Sequence, residues 1–529
     1  MTNSIPEFEN DTNCFLIIGS NTTEAHPLIA SRIMAAKEQR GAKIVVLDPR
    51  RIQIARMADL YTPFRPGTDV AIFNGLMNVI ISEGLEDKEY VASRTEGFEA
   101  LKASVAAYTP ERVQEISSVP ADTLRQAARL YAQNRPSAII YAMGITQHTT
   151  GVDNVKSCAN LAMLCGNVGV AGGGVNPLRG QNNVQGACDM GGLPNVYPAY
   201  QVVTLPEVQA KFKQAWGSTS DLKVGLTVTE MINAVGDGRL RALYVMGENP
   251  AVSDPDLNHA HHCLDQTEFM VVQDIFLTET AQLAHVVLPA ASFIEKEGTF
   301  TGTDRRVQLL QKAVEPPGSA RPDWQIICDV ARKMGASGFE FASAKEIMVE
   351  IAKLAPSYGG ITYERLEELG FLHWPCPAPD HPGTPYLHKG KFSRGQGLFH
   401  AIEFKEPAEL TDEEYPLTLT TGRLMFHYHT GTMTRRTEKL HQEVPRAYVE
   451  MHPDDAANVK LGHHNRIRVL SRRGQIELDV RVTKRIKPGV VFIPFHFAEA
   501  AANALTNSAI DPVAKIPEYK VCAVKVEAL

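Results

Sequence analysis

Two apolar runs near the start of the chain constrain its fold more than any other feature. Cys14-Phe-Leu-Ile-Ile18 and Lys43-Ile-Val-Val-Leu47 are typical of buried strands, and the helical residues Leu28 to Arg40 between them end at Gly41. A strand–helix–strand connection of this length requires a parallel crossover. Ligands of open parallel sheets bind beyond the carboxyl ends of the strands. Residues 19–21 and 48–51 are therefore candidate binding loops.

The remaining pattern predicts an α/β chain with several domains. Helical periodicity covers 69–83, 120–133 and 153–167, and short strands such as 242–246 and 269–272 end in polar loops. From about Leu417 onward, short β-rich runs follow one another, which indicates a separate barrel-like domain. We predict doubly wound parallel-sheet domains over 1–180 and 181–335, an irregular Pro-rich link over 336–410, and a C-terminal β-barrel-like domain over 411–529.

Composition excludes several classes of protein. The 529 residues are 44% hydrophobic and 21% charged, which is ordinary for a globular protein and argues against wholesale disorder. The net charge of −7 offers no basic excess for phosphates, so we expect no nucleic-acid partner. No apolar run reaches the length of a membrane helix, and the polar start is no secretory signal. We therefore expect no membrane span and a cytoplasmic location.

The cysteines and histidines give little sign of a metal site. The eight cysteines are scattered, none forms a CxxC pair, and most lie in apolar segments, as expected of buried reduced thiols. His259-Ala-His-His-Cys263 could bind a metal or lie on an exposed segment. His26 is expected to pack at a helix start. Of His427 and His429, which alternate on one loop, a single residue is expected to face a ligand.

Polar groups after the first two strands suggest a nucleotide. No G-x-G-x-x-G sequence follows a strand, so a nicotinamide site is a poor interpretation. Asp48 could accept hydrogen bonds from ribose hydroxyls, and Arg50 and Arg51 could meet a phosphate or stack on a base. The alternative is a structural turn. Thr68 and Asp69, which follow Gly67, could either cap a helix or bind the edge of a guanine.

The segment around Arg179 is the most unusual in the chain. Within a few residues it combines Arg179, Gln181, two asparagines and Gln185, without helical or strand periodicity. Burying these amides without partners would be costly, so they would suit the wall of a polar cavity that holds an anion or a cofactor. Arg179 could offer a planar fork to a carboxylate. The alternative is an ordinary polar surface loop.

Nine segments of the chain form a recognisable set: Arg179-Gly-Gln-Asn-Asn-Val-Gln-Gly-Ala-Cys-Asp-Met-Gly191, Asn195–Tyr200, Ile44–Arg50, Tyr90–Phe98, Met143–Gln147, Tyr244–Pro250, Val272–Phe276, Phe495–Asn503 and Pro517–Lys520. Together they resemble the catalytic (alpha) subunit of formate dehydrogenases, a family of molybdopterin bis(guanine dinucleotide) oxidoreductases of the DMSO reductase type. The resemblance covers nearly the whole chain. It implies α/β domains around a pterin cofactor groove and a C-terminal six-stranded barrel-like domain.

The resemblance also implies site residues. Arg179 would hold the formate carboxylate, and Asp48, Arg50, Thr68 and Asp69 would contact one nucleotide arm of the cofactor. Further cofactor-binding residues would be Gly19, Asn21, Gly67, Met143, Gly144, Gln147, Gln181, Gly247, Glu248, Asn249, Pro250, Gln273, Asp274, Arg423, His427, Asn503 and Lys520.

The implied reaction is the two-electron oxidation of formate to CO2, or its reverse, in anaerobic formate metabolism. The cofactor would carry molybdenum or tungsten, and electrons would pass to an electron-transfer subunit or a hydrogenase component. Members of the family also have an N-terminal [4Fe–4S] segment and a cysteine or selenocysteine metal ligand. We expect both upstream of Met1, so no metal ligand is assigned in this sequence.

Two alternatives stay open. The chain could be another molybdopterin oxidoreductase, such as a nitrate reductase, or a non-catalytic scaffold related to the enzyme. The Arg179 segment and the Phe495–Asn503 run favour formate. We expect that 1–529 as an isolated polypeptide does not oxidise formate. The intact mass of the native polypeptide separates the interpretations: a mass well above 58.1 kDa favours the catalytic subunit, and a mass of 58.1 kDa favours the scaffold.

Overall fold

The computed structural model describes residues 1–219, 222–459 and 465–529. These residues divide into two compact units. Unit 1 comprises 1–180, 252–258 and 386–529, and unit 2 comprises 181–251 and 259–385.

The N-terminal part of unit 1 is a parallel sheet built on the two apolar runs. Its strands and a short neighbouring strand are β1 (Cys14–Ile18), β2 (Lys43–Leu47), β3 (Leu60–Thr62), β4 (Thr95–Glu96), β5 (Ser137–Tyr141) and β6 (Val175–Pro177). The five-stranded sheet has the order β3-β2-β1-β5-β6, and all its pairs are parallel. The strand order reverses between β1 and β5, which is where a doubly wound sheet binds its ligand.

Helices cover both faces of this sheet, as the apolar strands require. Alternate residues of β1 enter different cores, with Leu16 in one and Ile17 in the other. The helices of this part are α1 (Ile5–Asn10), α2 (Thr22–Ala25), α3 (Pro27–Arg40), α4 (Asp69–Ser82), α5 (Lys88–Arg94), α6 (Phe98–Val105), α7 (Pro110–Ser117), α8 (Ala121–Gln133), α9 (Met143–Thr146) and α10 (Gly151–Leu164). The helices expected over 69–83, 120–133 and 153–167 are thus present.

Unit 2 contains a three-stranded parallel sheet and a three-stranded antiparallel sheet. Its strands are β7 (Val196–Tyr197), β8 (Gln201–Val202), β9 (Ala242–Met246), β10 (Phe269–Asp274), β11 (Val286–Pro289), β12 (Gly298–Thr301), β13 (Arg306–Leu310) and β14 (Phe371–His373). The sheet orders are β11-β10-β9 and β12-β13-β14. The helices that lie in unit 2 or cross its boundaries are α11 (Val184–Asp189), α12 (Pro206–Trp216), α13 (Val228–Gly236), α14 (Pro250–Ser253), α15 (Leu257–Asp265), α16 (Glu279–Gln282), α17 (Asp323–Lys333), α18 (Ala344–Leu354) and α19 (Tyr363–Leu369).

Two stretches expected to be irregular contain helices. The range 336–410 includes α18 and α19, and each helix begins at a side-chain cap: Ser343 Oγ accepts from the Glu346 amide, and Thr362 Oγ1 accepts from the Arg365 amide. The segment after Arg179 includes the six-residue helix α11. A helix this short gives no readable period in the sequence.

The C-terminal part of unit 1 is a closed barrel, which confirms the fold predicted from the β-rich tail. After β15 (Gly397–Leu398), its strands are β16 (Leu417–Gly422), β17 (Tyr448–Met451), β18 (Arg466–Leu470), β19 (Gln475–Val482), β20 (Val490–Pro494) and β21 (Cys522–Ala528). They close in the order β16-β20-β17-β19-β18-β21. The same part holds α20 (Glu438–Glu443) and α21 (Pro453–Asn458).

Short 3-10 helices complete the described secondary structure: Gln53–Arg56, Pro198–Tyr200, Phe293–Glu295, Pro356–Tyr358, Thr434–Arg436, Ala498–Ala500 and Ala502–Ala504. In the part of the chain that the structure describes, no helix combines the length and the apolar character needed to cross a bilayer.

Candidate nucleotide-binding and anion-binding site

The site begins where β1 and β5 end. Gly19 has a φ of +58°, and its carbonyl accepts a hydrogen bond from the Gly144 amide at 3.0 Å. A Cβ on either glycine would lie less than 3 Å from the main chain of the other. Met143 and Gly144 open α9, and the Gln147 amide closes it onto the Met143 carbonyl at 3.0 Å. Two glycines are needed here because the two loops meet main chain to main chain.

Two groups around this point are buried without hydrogen-bond partners among the described residues. They are Asn21 Nδ2 and both carboxylate oxygens of Asp69, whose residue is 1% exposed. Thr68 Oγ1 donates to the Arg65 carbonyl at 2.7 Å and so does not cap α4. Gly67, at φ +84°, packs against Pro407. A buried carboxylate with no donor is costly, and a ligand that brings N–H groups would remove that cost at Asp69.

Asp48 and Lys520 add charged groups on the same side of unit 1. Asp48 Oδ1 accepts from the Arg50 amide at 2.9 Å, and Lys520 Nζ donates to the Thr421 carbonyl at 2.7 Å. Burial raises the pKa of Asp48 to about 6. Burial, assisted by Arg423, lowers the pKa of Lys520 to about 7, against an opposing attraction from Asp48. Asp48 and Lys520 can therefore both change their charge near neutral pH.

Arg50, predicted to contact a nucleotide, has side-chain contacts with the barrel in this structure. Its Nε and Nη2 lie 3.0 and 2.9 Å from Glu450 Oε2, and its guanidinium lies 3.5 Å from the centre of the Phe492 ring. Both side chains of the ion pair are almost fully buried. In this structure Arg50 joins the end of β2 to the barrel.

Arg179 follows β6, so it too lies at the carboxyl edge of the sheet. Its carbonyl is bonded to His26 Nε2 at 2.7 Å, which fixes the main chain at this position. Arg423 packs against the next residue, since a Cβ on Gly180 would lie 1.9 Å from Arg423 Nη1. Burial lowers the pKa of Arg423. Burial also lowers the pKa of His26, and the Arg423 cation lowers it further, against the hydrogen bond to the Arg179 carbonyl. This part of unit 1 is suited to an anion.

His427 and Asn503 are held by the protein itself. His427 Nε2 lies 2.8 Å from the Val444 carbonyl, and Nδ1 lies 3.3 Å from Thr434 Oγ1. Asn503 Nδ2 donates to the Ser253 carbonyl at 2.7 Å. His26 directly precedes α3, and its Nε2 also forms the hydrogen bond to the Arg179 carbonyl.

The candidate residues of unit 2 cluster at the ends of β9 and β10. The Gly247 amide donates to the Gln273 carbonyl at 2.9 Å, and Asp274 Oδ1 accepts from the Phe276 amide at 3.1 Å. Gln273 is fully buried, accepts from Tyr244 Oη at 2.5 Å and donates to Asp323 at 2.8 Å. Its side chain therefore supports the sheet.

The turn after β9 has one exposed acid and one fixed amide. Glu248 is exposed, and Pro250 begins α14. Asn249 is buried; its Nδ2 donates to Glu279 at 2.8 Å, and its Oδ1 accepts from Thr280 Oγ1 at 2.8 Å. Asn249 thus holds the start of α16.

Helix α11 is anchored by a buried acid. Asp189 accepts from Gln185 at 2.7 Å, from Tyr200 Oη at 2.9 Å and from Tyr358 Oη at 2.6 Å. Gln181 is half-buried just before this helix. Gln185 is buried, as its sequence context suggested, and its partner is this carboxylate.

The Asp189 cluster gives a stability prediction. Replacing Tyr358 by Phe removes a hydrogen bond to a buried carboxylate, so we expect the free energy of unfolding of unit 2 to fall by about 2 kcal/mol in urea unfolding. Tyr363→Phe is the matched control in the same core, because Tyr363 Oη is buried with no partner among the described residues. Equal losses for the two variants would contradict the prediction.

The His259–Cys263 segment forms part of α15, and its histidines bond separate groups. His259 Nε2 lies 3.0 Å from Asn233 Oδ1, His261 Nε2 lies 2.7 Å from the Ala251 carbonyl, and His262 bonds Gln266. Over the described ranges, no three His, Cys, Asp or Glu side chains are grouped to hold a metal ion.

Sequence reasoning missed three buried groups of unit 1. Glu450 was not singled out, although it pairs with Arg50. His148 follows Gln147 directly, and Glu518 lies within the Pro517–Lys520 motif, yet neither was assigned a role. His148 Nε2 lies 3.8 Å from Asp69 Oδ2, and His148 Nδ1 lies 3.9 Å from Glu518 Oε1. Only the fold brings His148, Asp69 and Glu518 together, and only the fold pairs Glu450 with Arg50.

Comparisons with known proteins identify the family. The molybdopterin oxidoreductase family model matches residues 1–333, and the molydopterin dinucleotide binding domain model matches 417–523. The chain belongs to the molybdopterin oxidoreductase family.

Relatives of this family match along the whole chain. The chain is 52% identical to the F420-dependent formate dehydrogenase 1 subunit alpha of Methanococcus maripaludis, covering 100% of the chain and 78% of that protein. It is 41% identical to formate dehydrogenase H of Escherichia coli, covering 100% and 74%. Acetylene hydratase from Pelobacter acetylenicus has the same fold, with a TM-score of 0.75 at 23% identity over 100% of this chain and 81% of that one.

The Asp69 carboxylate gives a prediction for the cofactor-free chain. Burial, with a contribution from Asp48, raises the pKa of Asp69 from 3.8 to about 7. The folded state therefore favours the protonated acid, and stability is lost as pH rises from about 4 through 7. We expect Asp69→Asn to raise the free energy of unfolding by about 2 to 4 kcal/mol at pH 8 and by almost nothing at pH 4.

A second aspartate provides a control of opposite sign. Burial tends to raise the pKa of Asp59, but bonds from Lys37 and the Ile44 amide hold it below its usual value. Asp59→Asn should therefore destabilise the chain at pH 8. Denaturant unfolding at pH 4, 6 and 8 measures both variants. A destabilised Asp69→Asn at pH 8 would mean that Asp69 is already compensated in the free chain.

Proposed function

We propose that this chain carries out the two-electron oxidation of formate to CO2, or the reverse reaction, as the catalytic subunit of a formate dehydrogenase. The observation that carries the proposal is the 52% identity, over the entire chain, to a protein named as a formate dehydrogenase alpha subunit. The position of Arg179 supports it, because a guanidinium at the carboxyl edge of the sheet can form two parallel hydrogen bonds to a carboxylate.

The residues of unit 1 fit a pterin cofactor with a guanine nucleotide arm. The unpartnered Asp69 carboxylate could accept the two N–H groups on a guanine edge, and Asp48 could accept from ribose hydroxyls. Arg423 and Lys520 could neutralise phosphate or other anionic groups. When bound, this molybdenum or tungsten cofactor would supply the two-electron redox chemistry.

The protein side of the reaction is orientation and charge complementarity. Arg179 would bind formate through its carboxylate and hold the C–H bond in one direction. The hydrogen bond between His26 and the Arg179 carbonyl fixes the main chain from which that side chain extends, and the buried Arg423 beside Gly180 adds positive potential. Oxidation of formate releases CO2, one proton and two electrons. We propose that the electrons pass to an electron-transfer subunit or a hydrogenase component, and that the complex is cytoplasmic.

Anaerobic dye assays test the proposal. Holoenzyme purified with its native partners should reduce a viologen dye in the presence of formate, and metal analysis should find molybdenum or tungsten. Nitrate-dependent oxidation of the reduced dye, without formate activity, would favour the nitrate reductase alternative. A complex without metal and without either activity would favour a scaffold.

A further inference from the structure

Two buried groups of unit 1, His148 and Glu518, are not assigned to the cofactor and lie next to the Asp69 carboxylate, which is. His148 is 2% exposed, and its imidazole lies between Asp69 and Glu518, whose side chains are each 1% exposed. The imidazole is held in place because Nε2 lies 2.9 Å from the Gly144 carbonyl. His148 Nδ1 and both Asp69 oxygens have no hydrogen-bond partner among the described residues.

Glu518 is fixed at the other end of the cluster. Its Oε1 accepts from the Thr149 amide at 3.3 Å and from Thr149 Oγ1 at 3.2 Å, and its Oε2 accepts from the Ala408 amide at 3.1 Å. The carboxylate therefore cannot swing away from His148 without losing these bonds. Two further charged groups act on the cluster: Asp48 on Asp69, and Lys520 on His148.

We propose that His148 is a positioning residue for nucleotide recognition. Together with Glu518 it forms a buried relay that holds the Asp69 carboxylate ionised, which is the form that accepts hydrogen bonds from the nucleobase. The inference rests on the proposed function and extends it to a residue that does not itself touch the base. The nucleobase would form hydrogen bonds to Asp69, and His148 would act on its binding only through that carboxylate.

The chemistry of the cluster explains why a histidine is useful. A nucleobase that donates two N–H groups binds the ionised carboxylate of Asp69 better than the protonated acid, so its binding favours ionisation of Asp69. The resulting buried anion needs a cation, and an imidazolium held by the Gly144 carbonyl and Glu518 supplies one. The proton that leaves Asp69 is matched by the one that His148 takes up, so the relay as a whole keeps its charge. Before the nucleotide binds, burial keeps His148 neutral, with a pKa lowered to about 4.

Nucleotide retention as a function of pH tests the relay. The holo-chain is incubated between pH 5 and 9, the free nucleotide is removed, and the bound nucleotide is released with acid and quantified per polypeptide. Without the imidazolium, Asp69 should protonate at higher pH and release its ligand. We expect His148→Gln to move the midpoint of nucleotide loss upward by about one pH unit, a tenfold weaker retention in that range.

Two other variants separate this role from damage to the fold. Glu518→Gln keeps the size of the side chain and one acceptor, for Thr149 or for Ala408 but not for both, and it removes the charge, so it should move the midpoint in the same direction. His373→Gln removes the histidine of another buried His–Asp pair, His373 Nε2 to Asp304 Oδ2 at 3.5 Å in unit 2, and should leave the midpoint unchanged.

The outcomes distinguish the relay from the proposed function. Equal midpoints for His148→Gln and the parent, or a parent that releases no nucleotide, would overturn the relay whatever the formate assay shows. If His148→Gln shifts the midpoint of nucleotide loss in a holo-chain that lacks formate activity, the result would support the relay and contradict the proposed formate reaction.

Discussion

Replacing Arg179 by Ala is expected to lower kcat/KM for formate by about 10³-fold, or about 4 kcal/mol of transition-state stabilisation. The substrate has only a carboxylate and a C–H bond, so few groups other than a guanidinium can orient it. Arg179→Lys keeps the charge but loses the planar fork, and we expect it to recover part of the loss, mainly in KM. Steady-state dye reduction by the holoenzyme gives both constants.

The Arg179 experiment needs proof that the cofactor is retained. The metal and nucleotide content of each variant should equal that of the parent, because the side chain is assigned to the substrate. Arg56→Ala, at an exposed arginine of the same unit, should leave kcat/KM unchanged. A variant with full cofactor and parental kcat/KM would remove Arg179 from the reaction.

Replacing Arg50 by Ala is expected to destabilise unit 1 by about 3 to 5 kcal/mol, because it leaves Glu450 buried without its main partner. Arg485 reaches the other oxygen of Glu450 only at 3.8 Å and is itself partly exposed. The double variant Arg50→Met, Glu450→Leu should lose much less, since well-packed apolar side chains often replace a buried ion pair at little cost. Urea unfolding of the single and double variants gives the coupling energy.

An exposed ion pair provides the control for Arg50. Arg129 makes two hydrogen bonds of 2.8 Å to Glu83 on the surface, and Arg129→Ala should cost less than about 1 kcal/mol. If Arg50 instead contacts a nucleotide arm of the cofactor, Arg50→Ala would lower the nucleotide content per polypeptide with little loss in the free energy of unfolding. The pair of measurements decides between the ion pair in the structure and the contact implied by family resemblance.

The sequence by itself determined the strand–helix–strand start, the parallel crossover and the β-rich C-terminal domain. Local periodicity and glycine placement suffice for these, because β1, β2 and α3 are each coded by a continuous run of residues. The position of a binding loop after a strand also follows from the sequence, since the carboxyl edge of a parallel sheet is a geometric property of the crossover. The resemblance of several motifs to formate dehydrogenases then predicted the molybdopterin oxidoreductase family, which the comparisons confirm.

Only the tertiary structure decided which polar side chains meet. Glu450 lies 400 positions from Arg50, and Glu518 lies 370 positions from His148, so no local pattern could pair them. The same holds for Asp69, which looks like a helix cap in the sequence but is buried with no hydrogen-bond donor to its carboxylate among the residues that the structure describes. Burial sets the charge state and the cost of these groups, and burial depends on what distant segments cover. The chemistry of the cluster is therefore a property of the assembled unit.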